Sequence, residues 1–473
     1  MSLKLNSSQP APPCRILCVS DNVGIPVHAR GILNYTAGVL EGFASLRASV
    51  TLLVEARRTY GVRRDLLRRL PREAAKAIEV AEIYRFLADP NPAQSLSGGR
   101  SLRRVLTKLR RALRLTRRKL PKLPARSIAN DASLIDFIPS GLAHLRHVDN
   151  FILQPDVYDR CNVAAQRNQP PPPIDARGYD LIFLDMAHYA TLNTDPGAKV
   201  VTVILDLIPL TDPHMSARMR TVFVRKLECA IKASDHFVFI SEATRDHFFA
   251  LFPGQKARMP FSIVPPALRS EAIAQAERFG PRTEPAPPAK QPSFVAIVSD
   301  EPRKNIDGLI EAFQQLGPRA RLDIIGKVDA ARYLPRTDEE NGNIRFVGYI
   351  SDREKFALLR QASGVITPSY SEGFGIPIIE GAVFGLPVLC SDIPVFREVT
   401  NGLASFFDPY RPDDIARLVE DVIANPARYT EKAEALRQFC LTHYSLSATT
   451  RNVAGLLGLS PVPATTHVTA SAT

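Results

Sequence analysis

The sequence predicts an α/β protein made of two doubly wound domains. Three observations carry that reading. Short apolar runs alternate with segments whose apolar residues recur every three or four positions, as strands and helices do around a parallel sheet. The alternation occurs twice, on either side of a proline-rich stretch, "FGPRTEPAPPAKQP", within residues 267–292. Finally, 473 residues with 45% hydrophobic and 23% charged side chains are enough for two cores and exclude global disorder.

The first series opens with "CRILCVS" (14–20), a run fit for a buried strand. A loop with Gly24 and Gly31, the helix "ILNYTAGVLEGFASL" and the strand "SVTLLVE" (49–55) follow. Residues 57–150 break the rhythm as a basic, helical insertion, and "NQPPPP" (168–173) closes an irregular region, because consecutive prolines cannot enter a sheet interior. Regularity returns with strands at "YDLIFLD", "AKVVTVILD", "DHFVFIS" and "FSIVPP", separated by helices at "RMRTVFVRKLECAIKAS" and "EATRDHFFALF". This assigns 14–266 to a first domain and 267–292 to a linker. Beyond it, 293–458 forms a second domain, and residues 1–13 and 459–473 are expected to be disordered.

The second series is cleaner. Strands are expected at "SFVAIVS", "ARLDIIG", "IRFVGYI", "GVITPS" and "LPVLCSD", and helices at "NIDGLIEAFQQL", "IPIIEGAVFG" and "PDDIARLVEDVIAN". "SDREKFALLRQA" reads as a helix with Ser351 at its N-cap. In such sheets ligands bind outside the carboxyl ends of the strands, so the loops there are the places to search.

No window approaches 18 consecutive apolar residues, and the N-terminus shows neither a signal-peptide core nor a cleavage site. The six scattered cysteines, without C-x-x-C, are expected to be reduced thiols of a cytoplasmic protein. The net charge of +12 is concentrated. Residues 100–126, "RSLRRVLTKLRRALRLTRRKLPKLPAR", hold twelve Lys or Arg and no acid, and without them 48 basic residues face 48 acidic ones. Leu102, Leu106, Leu109, Leu113 and Leu120 recur at helical spacing between the cations, as in a helix lying in a membrane interface. Arg103, Arg104, Lys108, Arg111, Arg114 and Arg118 would then meet anionic headgroups. Docking of this helix on its own domain ranks second. Nucleic acid ranks third and is not expected as a partner, because the segment has no aromatic side chain to stack on bases.

Two local stretches point to chemistry. In "SYSEGFGIPIIEGAVFGLPV" (369–388), Glu372 follows a strand end, Gly373 and Gly375 permit close backbone approach, and Pro377 suits a helix start. That places Glu380 in the first turn, near a loop mouth whose free N–H groups favour an anion. Spacing alone supports equally a solvated Glu372 and a Glu380 that merely stabilises the helix start. "DEPRKNIDGLIEAF" (300–313) shifts the balance, since Arg303 and Lys304 also follow a strand and precede a helix, where cations can neutralise a diphosphate.

Together "EPRKNIDGLIEAF", "FVGYIS", "TPSYSEGFGIPIIEGAVFGLPV" and "SDIPVFREV" resemble, in order and spacing, the family 4 retaining glycosyltransferases with the two-domain GT-B fold, over about residues 293–410. The resemblance implies a retaining hexosyltransferase that uses a nucleoside-diphosphate sugar and acts without a metal or other cofactor. Relatives with "EPRKN" commonly transfer mannose. Arg303 and Lys304 would match the basic pair on the donor diphosphate, and Glu372 the glutamate beside the donor sugar. Glu380 would match the one binding ribose hydroxyls, and the backbone of Phe374, Gly375 and Ile376 the loop on sugar and phosphate. The family usually has a His-Asp pair after the strand matching "VVTVI". Here Leu205-Asp206 stands there, and His188 is the candidate substitute on the acceptor side. With the basic helix, the expected acceptor is a lipid-linked glycan or polysaccharide, met at the inner face of the plasma membrane as in lipopolysaccharide assembly. A non-catalytic sugar-nucleotide-binding protein on the same fold is the alternative, motivated by the missing histidine.

Overall fold

The computed structural model describes residues 13–20, 30–56, 125–130, 140–278, 291–333 and 342–458. The basic stretch 100–124, with all six expected membrane-contact residues, lies outside them, as do 1–12 and 459–473.

The first domain is built on an eight-stranded sheet ordered β10-β9-β8-β6-β1-β2-β4-β3. Its strands in chain order are β1 (Arg15–Val19), β2 (Ser49–Ala56), β3 (Arg126–Ala129), β4 (Asn150–Pro155), β6 (Leu181–Leu184), β8 (Lys199–Ile204), β9 (His236–Phe239) and β10 (Phe261–Ile263). Between them β5 (Pro173–Asp175) and β7 (Thr191–Asn193) pair as a small separate sheet. All neighbours in the main sheet run parallel except β3 and β4.

Period-two alternation in β1 sends Ile16 and Cys18 to one face and Leu17 and Val19 to the other, and both faces are covered. On the first, the helix Arg30–Ser45 packs Tyr35, Val39, Leu40 and Phe43, with the Phe43 ring edge-on to Phe183 at 5.4 Å. On the second, the helix Val157–Arg167 contributes Tyr158 and Cys161.

The second domain carries β11 (Ser293–Ile297), β12 (Arg321–Ile325), β13 (Ile344–Gly348), β14 (Gly364–Thr367), β15 (Val388–Ser391) and β16 (Ser405–Phe407). They form a parallel sheet ordered β13-β12-β11-β14-β15-β16. The helices Ile306–Leu316 and Pro412–Ala424 fill one face, where Phe294 meets Phe313 at 6.1 Å. On the other side, buried residues of the helices Asp352–Gln361, Ile376–Val383 and Pro426–His443 join a cluster that continues into the first domain. Ser351 caps its helix as expected, and Glu354 completes a capping box with it.

Three expectations about boundaries need correction. The insertion does not run unbroken to residue 150, because β3 pairs antiparallel with β4 and completes the edge of the first sheet. The linker contains the helix Ser270–Glu277, whose Ala272 and Ala276 are buried. And the second domain does not keep its last helix. Leu446–Leu456 returns to pack on Arg30–Ser45, where Gly42 lies within 3.7 Å, measured from an ideal Cβ, of Thr450 and Val453. An apolar stripe with no partner in its own domain is buried wherever a matching face exists. All six cysteines are free thiols.

Candidate active site

In the second sheet, chain order runs outward from β11 in both directions, so β11 and β14 flank the point where the winding reverses. Open α/β sheets bind ligands there, at the carboxyl ends. Arg303 and Lys304 follow β11 in the short turn Pro302–Lys304, and Glu372 follows β14. Asn305 ends the turn in the left-handed region at φ 52° and caps the next helix by accepting from the Gly308 N–H at 3.2 Å. Its amide also donates to the Pro409 carbonyl at 2.7 Å, and its Oδ1 accepts from the Tyr370 hydroxyl at 2.8 Å. The Tyr370 N–H donates to the Arg303 carbonyl at 2.8 Å. The loops after β11, β14 and β16 are thus tied together.

These ties bring the charged groups into contact. Lys304 Nζ lies 2.5 Å from Glu372 Oε1, and Arg303 Nη1 donates to Glu372 Oε2 at 2.9 Å. Ser369 donates to Oε1 at 2.7 Å, and Arg303 also pairs with Glu301 at 2.8 Å. Burial alone would raise the Glu372 carboxyl, but the charges of Lys304 and Arg303, with the hydrogen bonds from Lys304 and Ser369, bring it down to about 2. The cations are therefore paired within their own chain. They are shared with two glutamates.

The first domain reaches this cluster through the end of β8. Asp206 feels the charges of Arg303, Glu372 and Glu301, and burial raises its carboxyl despite a 3.0 Å hydrogen bond from the Ile208 N–H. Gly373 is required at the contact, since a Cβ there would stand 2.6 Å from the Leu205 carbonyl oxygen. The Gly373 carbonyl accepts from Ser241 Oγ at 3.0 Å. Glu398 reaches in the opposite direction and accepts from the N–H groups of Glu242 and Ala243, at 2.6 and 2.8 Å.

Glu380 departs from expectation. It is the fifth residue of the helix Ile376–Val383, one turn in from the mouth, and only 5% exposed. Both its oxygens lie 2.8 Å from Lys355 Nζ. The side chain of Phe374 is buried edge-on to Tyr444 at 5.2 Å, so only its backbone is available to a ligand. Gly375, at φ 102°, caps the helix. His188 does not join Asp206. It is buried against the Tyr158 ring, centroids 5.4 Å apart, with Nε2 3.6 Å from Asp185 Oδ1. Among the described residues, the carboxylates close enough to share a metal ion are Glu55, Asp156 and Asp159. Glu55 there accepts the backbone N–H groups of Tyr158 and Asp159 at 3.0 and 3.1 Å, a helix-capping role.

Lys355 was within reach of the sequence. In "DREKFALLRQA" it sits among Phe356 and Leu359, the residues its helix buries, and a lysine there demands an anion. Glu398 carried no such signal, because its partners lie in the other domain.

Residues 281–439 match the family of group 1 glycosyl transferases. The serotype-specific mannosyltransferase WbdA of Escherichia coli is 29% identical over 245 residues, 48% of this chain and 30% of that protein. This chain thus matches less than a third of that relative's length. Among solved structures, a sucrose-phosphate synthase from Thermosynechococcus elongatus superposes with a TM-score of 0.58 at 14% identity, covering 94% of this chain and 98% of that one. HepE of Anabaena, solved in complex with UDP, gives 0.55 at 14% identity, covering 94% and 100%. At such identities the likeness is one of fold: two Rossmann-like domains in the GT-B arrangement.

Proposed function

We propose that the chain transfers a hexose from a nucleoside-diphosphate sugar to a lipid-linked or polysaccharide acceptor, with retention and without a metal ion. The observation that carries the reading is the contact of Arg303, Lys304 and Glu372 at the winding reversal of the second sheet. WbdA, a mannosyltransferase, favours mannose as the sugar, and a nucleotide on a GT-B neighbour supports a nucleotide donor.

Breaking the bond from anomeric carbon to phosphate leaves an oxocarbenium-like sugar and a diphosphate. Fixed cations aimed at the developing negative charge lower that barrier. Arg303 and Lys304 are already held, so little reorganisation is needed. A diphosphate competes with Glu372 for the Lys304 ammonium. As it takes one of the three N–H groups, Glu372 Oε1 is released to accept a hydroxyl of the donor sugar and orient it. The backbone at Phe374, Gly375 and Ile376 and the helix start behind it add N–H groups to the same anion. Asp206, whose carboxyl burial raises, would face the acceptor. The basic stretch 100–124 would hold the protein to the inner face of the plasma membrane. Among the described residues no helix is long and apolar enough to cross a membrane.

A panel of nucleotide sugars, read first as thermal shift and then as transfer to lipid-linked acceptors, tests the reading. One donor should raise the melting temperature and be consumed with product of retained anomeric configuration. Stabilisation without turnover on any acceptor would favour the binding-protein alternative, and no stabilisation by any donor would reject both.

A further inference from the structure

Lys355 is 6% exposed on the buried face of its helix, beside Phe356 and Leu359. An ammonium is costly to bury unless fixed anions surround it. Here its Nζ meets both oxygens of Glu380 at 2.8 Å and Asp352 Oδ1 at 3.2 Å. Asp352 gives its other oxygen to Arg269 Nη1 at 2.5 Å. Arg269 precedes the helix Ser270–Glu277 in the segment that joins the domains, and pairs with Glu271 at 2.8 Å. The ammonium is therefore fixed from two sides. A carboxylate offers about four lone-pair sites. One ammonium astride both oxygens leaves further acceptor capacity on the carboxylate.

We propose that Lys355 is a positioning residue for ribose recognition. It holds Glu380 in one orientation, so that both oxygens accept the 2′- and 3′-hydroxyls of the donor nucleotide, while Asp352 and Arg269 fix the lysine. This rests on the reading of Glu380 as the ribose-binding group. Without the ammonium, that buried carboxylate loses the partner that both its oxygens share.

The test is calorimetric titration of the full chain with GDP, 2′-deoxy-GDP, UDP and 2′-deoxy-UDP, for the wild type, Lys355→Met, Lys355→Arg and Glu380→Gln. For the base that binds, the wild type should prefer the ribose form by about tenfold or more, as expected for a hydrogen bond to a charged acceptor. Lys355→Met and Glu380→Gln should each bring that ratio within about threefold, and Lys355→Arg should keep most of it. A fold defect that leaves the ribose contact intact lowers both affinities and leaves the ratio alone. Retention of the wild-type ratio in Lys355→Met, with its loss in Glu380→Gln, overturns the inference and spares the ribose assignment. Retention in Glu380→Gln, or no preference in the wild type, removes the assignment itself. If Lys355→Met does not fold by circular dichroism, Lys355→Gln takes its place with the same two outcomes.

Discussion

The winding reversals of the two sheets, between β11 and β14 in the second domain and between β1 and β6 in the first, occupy equivalent places and carry opposite chemistry. After β11 and β14 stand Arg303, Lys304 and Glu372, held by side-chain and backbone hydrogen bonds and facing the end of β8 across the domain contact. After β1 and β6 stand Ser20 and Asp185, both buried. Ser20 Oγ donates to Asp185 at 2.5 Å, Thr36 donates to the same oxygen at 2.9 Å, and His188 closes in from 3.6 Å. One reversal gathers opposite charges at the contact between the domains. The other turns its carboxylate inward to hold its own domain. Position in the fold names the place to look, and the residues decide the use.

The largest effect expected of this contrast is on catalysis. Glu372→Gln should lower transfer by roughly a thousandfold, the scale of losing a positioned electrostatic group, while circular dichroism shows the fold intact. The same substitution carries a pH signature. The Glu372 carboxyl stands at about 2 in the folded chain against an ordinary 4.5, so its contribution to stability is complete above about pH 4.5 and fades as pH falls toward 2. Melting curves of wild type and variant should diverge above that window and converge below it. An equal gap at every pH would contradict the pairing.

The inward reversal should fail differently. Asp185→Ala leaves buried hydroxyls without their acceptor and should cost roughly 2–4 kcal/mol of stability, read from denaturant midpoints. Affinity for a free nucleoside diphosphate should change little, less than about threefold. A large loss of nucleotide binding with unchanged stability would show that the two reversals had been assigned the wrong way round.

Much of this architecture was legible because its signals are local. Ser351 and the glycines around Glu372 announce a cap and a close approach within a few residues. Arg303 and Glu372 could be placed at strand ends, but not in contact, because their meeting depends on β11 and β14 being neighbours in the sheet. The strand "NFILQP" (150–155) was missed, since its pairing with β2 and β3 is long-range. His188 was placed correctly after the strand beside β8. Its direction was not readable, because the Tyr158 ring that covers it comes from a distant helix. Glu380 misled for a related reason. Its motif is local, but the lysine that holds it belongs to another helix.

Calorimetric titration of GDP and UDP into wild type and Lys304→Ala tests the central claim most directly, because that ammonium holds Glu372 and is the group proposed to meet the donor diphosphate. One of the nucleotides should bind the wild type with one site per chain, and Lys304→Ala should weaken it by about tenfold or more. Equal affinity in the two proteins would contradict the account.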